Sequence, residues 1–169
     1  TGGGQTGRTQ AALTNYNAIA DQRGVGCRYP DGIDFSWADG RGASIPDRRG
    51  GVDDVGFLAT LIGRLSHDFG IAPGRVFVTG MSAGGFMATR LACDRADLVT
   101  AIAPVASTLG NAVHCNPSRP VSVLTVHGTA DTVVPYRGGR VSVEGEPALS
   151  CRHPRWRIGG WPSTGARGR

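Results

Sequence analysis

The sequence of 169 residues has no lysine, no C-x-x-C pair and no long apolar run. A membrane-spanning helix needs about 20 consecutive apolar residues, so the missing run excludes a transmembrane segment. No charged and then apolar leader stands at the start, and we expect no signal peptide within these residues. All 18 basic residues are arginine, which we interpret as codon bias in a GC-rich bacterial genome. The composition, 40% hydrophobic and 18% charged, is typical of one globular domain.

The net charge of +5 belongs to one end of the chain. Residues 1–150 hold 13 basic and 13 acidic residues and are therefore neutral. The excess comes from five arginines after position 150: Arg152, Arg155, Arg157, Arg167 and Arg169. A protein that binds nucleic acid normally carries its basic residues as a stripe across folded elements. We therefore expect no nucleic-acid partner.

The four cysteines, at positions 27, 93, 115 and 151, show neither the spacing of a zinc site nor a cluster with histidine. We therefore expect no metal ion and no cofactor. Cys93 and Cys115 lie near the ends of neighbouring predicted elements, which allows a disulfide if the protein is exported. Free buried thiols are the alternative, and the sequence favours neither.

Predicted helices and strands alternate along the chain. The hydrophobic pattern predicts helices over 13–23, from an Asp53 cap through Leu65 or beyond, and over 82–93. Apolar, β-branched runs predict strands over 75–79, 101–106 and 121–127, and the Gly- and Arg-rich residues 31–51 predict a long surface loop. This order favours an α/β fold with a parallel sheet covered on both faces.

Ser82 lies in the sequence Gly80-Met81-Ser82-Ala83-Gly84, a G-x-S-x-G pattern. The pattern follows a buried strand directly and opens a helix, as a nucleophile elbow requires. A serine that only caps the helix after a glycine turn is the alternative. We predict that Ser82 is a nucleophile.

A nucleophilic serine needs a base, an acid that orients the base, and donors for the oxyanion. Asp131 follows the end of a late strand by four residues, where a doubly wound hydrolase presents its acid; a loop-capping aspartate is the alternative. Gly3 and Gly4 of the run Gly2–Gly4, with the backbone N–H of Ala83, are predicted oxyanion donors. Flexible terminal glycines are the alternative for that run.

Taken together, these residues resemble an esterase family. The matching stretches, which cover roughly residues 2–139, are GGGQTG, NAIADQRGVGCRYPDG, SWADGRG, GVDDVGFLATLIGRL, RVFVTGMSAGGFMATRLAC, AIAPVAS and VLTVHGTADTVVPY. They are similar to the α/β-hydrolase esterase family that includes poly(3-hydroxybutyrate) depolymerases, feruloyl esterases and acetylxylan esterases, a family like carbohydrate esterase family one. The resemblance implies a mostly parallel, doubly wound sheet with Ser82 as nucleophile and Asp131 as acid. It also implies hydrolysis of an ester of a hydroxy acid, an aromatic acid or an acetylated sugar, by a secreted or cell-envelope protein.

The chain departs from this family at both ends. Thr1 stands where the family has the histidine that introduces the oxyanion loop, and the strand that feeds this loop is expected to be missing, so the sheet is incomplete. The family sets its catalytic histidine after the acid, near a His-x-Trp-Pro string. The only later histidine here is His153, in different surroundings, and it is the one candidate base. We assign no catalytic role to His67, His114 or His127, and expect His127 to hold its loop through a backbone hydrogen bond.

Residues 151–169 differ from the rest of the chain. They are rich in Arg, Gly and Trp and lack any helical or strand period, whereas residues 1–150 form the partial esterase domain. Reading GC-rich codons from the third base of the Ser150 codon gives an amphipathic segment that resembles the family's continuation. Our hypothesis is that residues from about 151 onward are a frameshifted reading of a longer gene.

Two loop aromatics, Trp37 and Tyr136, are predicted to border a substrate groove; packing lids are the alternative. The favoured function is a secreted serine esterase that acts through an acyl-enzyme. An inactive fragment that at most binds a polymer is the second candidate, and a peptidase or thioesterase on the same fold is the third.

Overall fold

A three-stranded parallel sheet with helices packed on it dominates the computed structural model, which describes residues 1–42, 46–47, 50–143 and 146–149. The helices are α1 (Gly7–Thr14), α2 (Tyr16–Arg23), α3 (Asp54–Asp68) and α4 (Ala83–Asp94), with a 3₁₀ turn at Ile33–Phe35. The strands are β1 (Phe77–Met81), β2 (Ala101–Val105), β3 (Ser122–Val123), β4 (Arg140–Val143) and β5 (Glu146–Leu149). Strands β4 and β5 pair antiparallel in a separate two-stranded sheet.

Helix α3 confirms the prediction that begins at Asp53. The Asp53 carboxylate accepts the Gly56 N–H at 2.8 Å and so satisfies one of the amides left free at a helix start. Val55, Leu58 and Ile62 recur at helical spacing and pack in the core.

The single helix predicted over 13–23 is wrong in one respect, because Asn15 interrupts it. Asn15 has φ 52° and ψ 27°, a left-handed conformation that ends α1 and precedes α2. Asparagine tolerates this region better than most residues, because its short polar side chain can hydrogen-bond locally. Hydrophobic periodicity alone does not register such a break.

The main sheet has the order β1-β2-β3, and both pairings are parallel. Phe77 pairs with Ala101 and Met81 with Val105, so β1 begins and ends two residues later than the predicted strand. Strand β3 covers only two residues of the predicted 121–127, but the ladder resumes at a parallel bridge between Val105 and Val126. The parallel sheet with flanking helices confirms the predicted α/β class.

The core lies on one face of this sheet. Leu58 of α3, Met87 and Leu91 of α4, and Ile102 of β2 share one buried cluster. Phe77 and Leu124 are exposed. The connection from β2 to β3 contains no helix, and its residues 106–121 are all described.

A disulfide between Cys93 and Cys115 ties that connection to the end of α4, with the two Cα atoms 4.8 Å apart. Of the two alternatives open from sequence, the structure therefore shows the bridge. Cys27 is free and partly buried. Within the described ranges, every helix is too short or too polar to cross a bilayer.

The surface loop predicted over 31–51 is wrong for residues 37–41, which are buried and are named the anchor segment below. The Asp54 carboxylate accepts the Ala38 N–H at 2.6 Å, and the Arg90 guanidinium donates to the Ala38 carbonyl. The Asp39 carboxylate is fully buried and pairs with Arg41 at 2.7 Å. Polar residues can lie inside here because each one finds a partner.

Candidate active site

Ser82 occupies a strained turn between β1 and α4. Its φ of 50° and ψ of −120° are conformations that L-residues rarely adopt. The Ser82 N–H donates to the Val105 carbonyl at 3.0 Å, and its carbonyl accepts the Phe86 N–H at 3.0 Å. Both neighbouring elements therefore hold the turn in place, as they do at a nucleophile elbow.

The Ser82 side chain makes no capping hydrogen bond to the first turn of α4. A serine retained as a helix cap would accept an N–H of that turn. The geometry therefore favours the nucleophile over the capping alternative. Ser82 is also only partly buried, so the residue is accessible to solvent.

Glycines make the tight turn around Ser82 possible. A Cβ on Gly80 would collide with the backbone of Gly84, and a Cβ on Gly85 would collide with Ser107. The helix and strand can approach this closely only without those side chains.

The three residues Gly2–Gly4, the glycine loop below, lie against the elbow. A Cβ on Gly3 would stand 3.6 Å from the Ala83 Cβ, and the same test at Gly84 meets Thr1. The predicted donors Gly3 and Ala83 are therefore neighbours. Gly4 was also predicted as an oxyanion donor, but its N–H donates to the Phe35 carbonyl at 2.8 Å and is therefore already engaged.

Asp131 lies in a turn that its own carboxylate organises. Its Oδ1 accepts the N–H groups of Val133 and Val134, each at 2.9 Å. The Asp131 N–H in turn donates to the Gly128 carbonyl at 3.2 Å. One carboxylate oxygen is thus used by the loop, while Oδ2 takes neither of these bonds, and the Asp131 side chain as a whole is 18% exposed.

His127 holds the same loop through its side chain. Its buried imidazole donates from Nε2 to the Val134 carbonyl at 2.7 Å, which is the backbone hydrogen bond expected from sequence. Asp131 Oδ2 lies 3.5 Å from the same Nε2, and the Tyr136 ring meets the imidazole edge-on at 5.6 Å. Nε2 is thus engaged by backbone, and Nδ1 is buried without a hydrogen-bond partner among the described residues.

The sheet brings the elbow and the Asp131 loop to one edge. The Ala106 N–H donates to the Val126 carbonyl at 2.8 Å, and Ser82 bonds to Val105 of the same central strand. Ser82 and His127 therefore leave the carboxyl ends of strands two spacings apart, about 10 Å. Side chains that reach over this edge from both sides can be bridged by one imidazole, as in a Ser-His-Asp triad.

The two predicted groove aromatics lie in different places. Trp37 is 2% exposed, belongs to the core cluster and donates from Nε1 to the Thr1 carbonyl at 2.9 Å. It therefore packs under the start of the chain and does not line an open groove. Tyr136 is 39% exposed beside His127 and keeps access to solvent at the edge.

The other histidines lie away from the elbow or outside the described residues. His67 is exposed next to Asp68 on α3, and His114 is exposed beside the disulfide. His153, the predicted base, lies outside the described residues. In the part of the chain that the structure describes, no three His, Cys, Asp or Glu side chains are grouped as metal ligands.

Sequence reasoning missed the buried scaffold beneath the glycine loop. Arg41 stacks on the Phe86 ring at 4.5 Å while it pairs with Asp39. Burial raises the pKa of Asp54, although its bond to the Ala38 N–H and the charge of Arg90 act in the opposite direction. The SWADGRG string contained the signal, since Asp and Arg two residues apart beside a Trp can form a buried pair.

Comparisons with known proteins give a consistent result. NocK of Nocardia uniformis subsp. tsuyamanensis, a protein assigned as an esterase, is 31% identical over 144 residues, which are 84% of this chain and 41% of NocK. Feruloyl esterase B of Piromyces equi is 36% identical over 101 residues, 57% of this chain and 19% of that protein. The bifunctional acetylxylan esterase/xylanase XynS20E of Neocallimastix patriciarum is 29% identical over 129 residues, 76% and 18% of the two chains.

The chain spans less than half the length of these relatives. No family model matches the sequence.

Proposed function

Because the chain belongs to the esterase family that includes feruloyl and acetylxylan esterases, we propose that it hydrolyses carboxylic esters with Ser82 as the nucleophile. The observation that carries this proposal is the strained backbone of Ser82 between β1 and α4, with its side chain not used as a cap. Strain of this kind concentrates at functional sites.

The proposed reaction begins when Ser82 Oγ attacks the ester carbonyl carbon and gives up its proton to a base. The N–H groups of Ala83 and Gly3 are the donors proposed for the oxyanion, since the two residues are neighbours. The intermediate expels the alcohol, which takes the proton, and leaves an acyl-enzyme. Water then gives a proton to the base and attacks the acyl carbon, the bond to Ser82 Oγ breaks, and the carboxylic acid leaves while Ser82 takes the proton back from the base.

The base in this mechanism is a histidine that Asp131 orients. Asp131 supports this role because its Oδ1 fixes the loop while Oδ2 accepts neither of those N–H groups, and the side chain stays partly exposed at the elbow's edge of the sheet. His153 follows Asp131 in the chain order that α/β-hydrolases use and is proposed as the base.

The proposed substrates are esters of aromatic acids, of acetylated sugars or of hydroxy acids such as poly(3-hydroxybutyrate). A secreted or cell-envelope location is proposed with them. The Cys93–Cys115 disulfide supports this location, because such bonds persist mainly in oxidising compartments.

A catalytically inactive, polymer-binding protein is the second candidate, and one observation favours it. Among the histidines of the described residues, His67 and His114 are exposed away from the elbow, and the Nε2 of His127 is engaged by the Val134 carbonyl. A protein that had lost the base would keep the elbow but would not hydrolyse esters.

The test compares the full chain with Ser82→Ala and with Ser66→Ala, a serine of similar partial burial on α3. Turnover of 4-nitrophenyl acetate, 4-nitrophenyl butyrate and methyl ferulate is measured beside labelling by a fluorophosphonate. We expect both activities in the full chain and in Ser66→Ala, and a loss on the order of 10³-fold or more in Ser82→Ala.

Turnover that persists in Ser82→Ala contradicts the proposal. The absence of turnover and label in every variant contradicts it too and supports the inactive candidate. Faster cleavage of a peptide amide or a thioester than of all three esters would instead indicate a peptidase or thioesterase.

A further inference from the structure

The glycine loop forms a tight turn that is closed by its outer residues. The Gln5 N–H donates to the Gly2 carbonyl at 3.3 Å, and Gly4, with φ 70°, takes the third position, where such a turn favours glycine. The closing bond uses neither of the two middle N–H groups, and the Phe35 carbonyl accepts the one of Gly4. In the described part of the chain, the N–H of Gly3 is therefore the donor that this turn leaves for a ligand.

Consecutive glycines do not hold that N–H in place by themselves. Glycine has more backbone freedom than any other residue, and positions 2–4 carry no side chain that could anchor the loop. The Gly3 N–H belongs to the peptide plane that follows the plane of the Thr1 carbonyl. Whatever fixes the Thr1 carbonyl therefore limits where the Gly3 N–H points.

The Thr1 carbonyl lies between the elbow and the indole of Trp37. A Cβ built on Gly84 would collide with this carbonyl, which therefore packs against the first turn of α4. The Trp37 Nε1–H donates to the same oxygen at 2.9 Å. A carbonyl packed so closely needs a donor, because a buried acceptor without one is destabilising. Of the bonds that hold residues 1–4 here, this one comes from a side chain, so a substitution can remove it.

The indole is in turn held by the core. Trp37 is 2% exposed and shares a buried cluster with Ala83, whose N–H is the other donor proposed for the oxyanion. The next residue, Ala38, is fixed through both of its backbone groups, by Asp54 and by Arg90. One core therefore positions both proposed donors, that of Ala83 through the elbow and that of the glycine loop through the indole.

We propose that Trp37 is a positioning residue for the hydrolysis: its indole N–H holds the Thr1 carbonyl and thereby keeps the Gly3 N–H directed at the oxyanion. This inference rests on the proposed ester hydrolysis by Ser82 and adds a residue that does not touch the substrate. Because the oxyanion forms only during the reaction, the indole N–H acts on kcat and not on KM.

The first test is Trp37→Phe, which removes the N–H and keeps an aromatic ring in the core. For 4-nitrophenyl butyrate, we expect kcat to fall on the order of tenfold and KM to stay within about twofold. Leu58→Ala is the matched control, since Leu58 belongs to the same cluster but lies on α3, and its kcat is expected to stay within about twofold. Titration with a fluorophosphonate gives the concentration of active sites, so unfolded protein does not lower the measured kcat.

Two further variants connect the indole to its target. A tryptophan analogue with sulfur in place of the indole N–H, introduced at position 37 by nonsense suppression, keeps the bicyclic shape, and we expect the same loss of kcat. Gly3→Pro lacks the N–H that Trp37 is proposed to direct. Adding Trp37→Phe to Gly3→Pro is therefore expected to cost no more than about twofold in kcat.

Hydrogen exchange separates this inference from the proposed hydrolysis, because it needs no turnover. The amides of Gly4 and Gln5 are protected by the bonds of the loop. Exchange at least about fivefold faster in Trp37→Phe than in the wild type and in Leu58→Ala supports the anchoring role even if the full chain hydrolyses no ester. Equal exchange in the three proteins, an unchanged kcat, a loss confined to KM, or losses that add fully with Gly3→Pro would overturn it.

Discussion

The Asp131 loop depends on the imidazole of His127. His127→Ala removes the donor to the buried Val134 carbonyl, and we expect a loss of about 1–3 kcal/mol in the free energy of unfolding. His127→Gln places an amide N–H near the position of Nε2 and is expected to recover most of this loss. Urea denaturation of the wild type and both variants measures these changes in the free energy of unfolding.

The same variants test whether His127 positions Asp131 or acts as the base. If it positions the acid, the rate of Ser82 labelling by fluorophosphonate falls in His127→Ala and recovers in His127→Gln. A glutamine cannot take up a proton at neutral pH. A label rate abolished equally in both variants would therefore contradict the positioning role.

Asp54 shows how a buried carboxylate makes stability depend on pH. Burial raises its folded-state pKa above the unfolded value, so the ionised form destabilises the fold. This destabilisation is complete above the folded pKa and disappears as the pH falls to the unfolded value. Asp54→Asn keeps an acceptor for the Ala38 N–H but carries no charge.

We therefore expect any stability advantage of Asp54→Asn over the wild type to shrink between pH 7 and about pH 4. Urea denaturation across this range provides the measurement. Asp97→Asn is the control with opposite sign, because the Arg95 guanidinium lowers the pKa of Asp97, whose favourable contribution is lost as the pH falls. An advantage of Asp54→Asn that grows on acidification would show that the charge stabilises the fold.

At the scale of elements, the anchor segment joins parts of the chain that are distant in sequence. Its contacts reach Thr1, Asp54, Phe86 and Arg90. Asp39→Ala leaves the Arg41 guanidinium buried without its partner, and we expect a loss of about 3–5 kcal/mol in unfolding free energy.

A double-mutant cycle isolates the pair. Asp39→Ala combined with Arg41→Met is expected to cost clearly less than the two single changes added together. The exposed pair Arg95–Asp97 is the control, with a coupling within about 1 kcal/mol. Strict additivity for Asp39 and Arg41 would mean that the segment is held by its backbone contacts alone.

The elements that are determined by residues close together in the sequence were predictable. The Asp53 cap and the apolar spacing define α3, and the strand–glycine–helix pattern around Ser82 defines the elbow. The parallel class followed from alternating strands and helices, because each signal lies within one element and its turn.

Burial of the anchor segment was not predictable in this way. Its sequence is polar and glycine-rich, which is typical of surface loops, and its partners Asp54 and Arg90 lie 16 and 52 residues from Ala38. Exposure of Phe35 and burial of Trp37 likewise depend on left-handed residues and on a bond to Thr1. Only tertiary contacts decide such cases.

At the scale of the whole molecule, the disulfide restricts the unfolded chain. It joins positions 22 residues apart, and closing a loop of this size contributes about 3 kcal/mol. Cys93→Ser with Cys115→Ser is expected to lower the unfolding free energy by that amount, while Cys27→Ser, at a cysteine that is free in the described part of the chain, is expected to change little.

Urea denaturation with and without a reducing agent provides the measurement. A reducing agent should destabilise the wild type and leave the double serine variant unchanged. Equal sensitivity of the two proteins would show that the bond does not form in solution.

The bond between the Trp37 indole and the Thr1 carbonyl gives the molecule an intrinsic optical reporter. The sequence has three tryptophans, so replacing Trp156 and Trp161 by phenylalanine leaves a single emitter. A buried indole fluoresces at shorter wavelength than a hydrated one. The emission maximum would therefore report whether the start of the chain is seated on the elbow, in real time and before any substrate has been chosen.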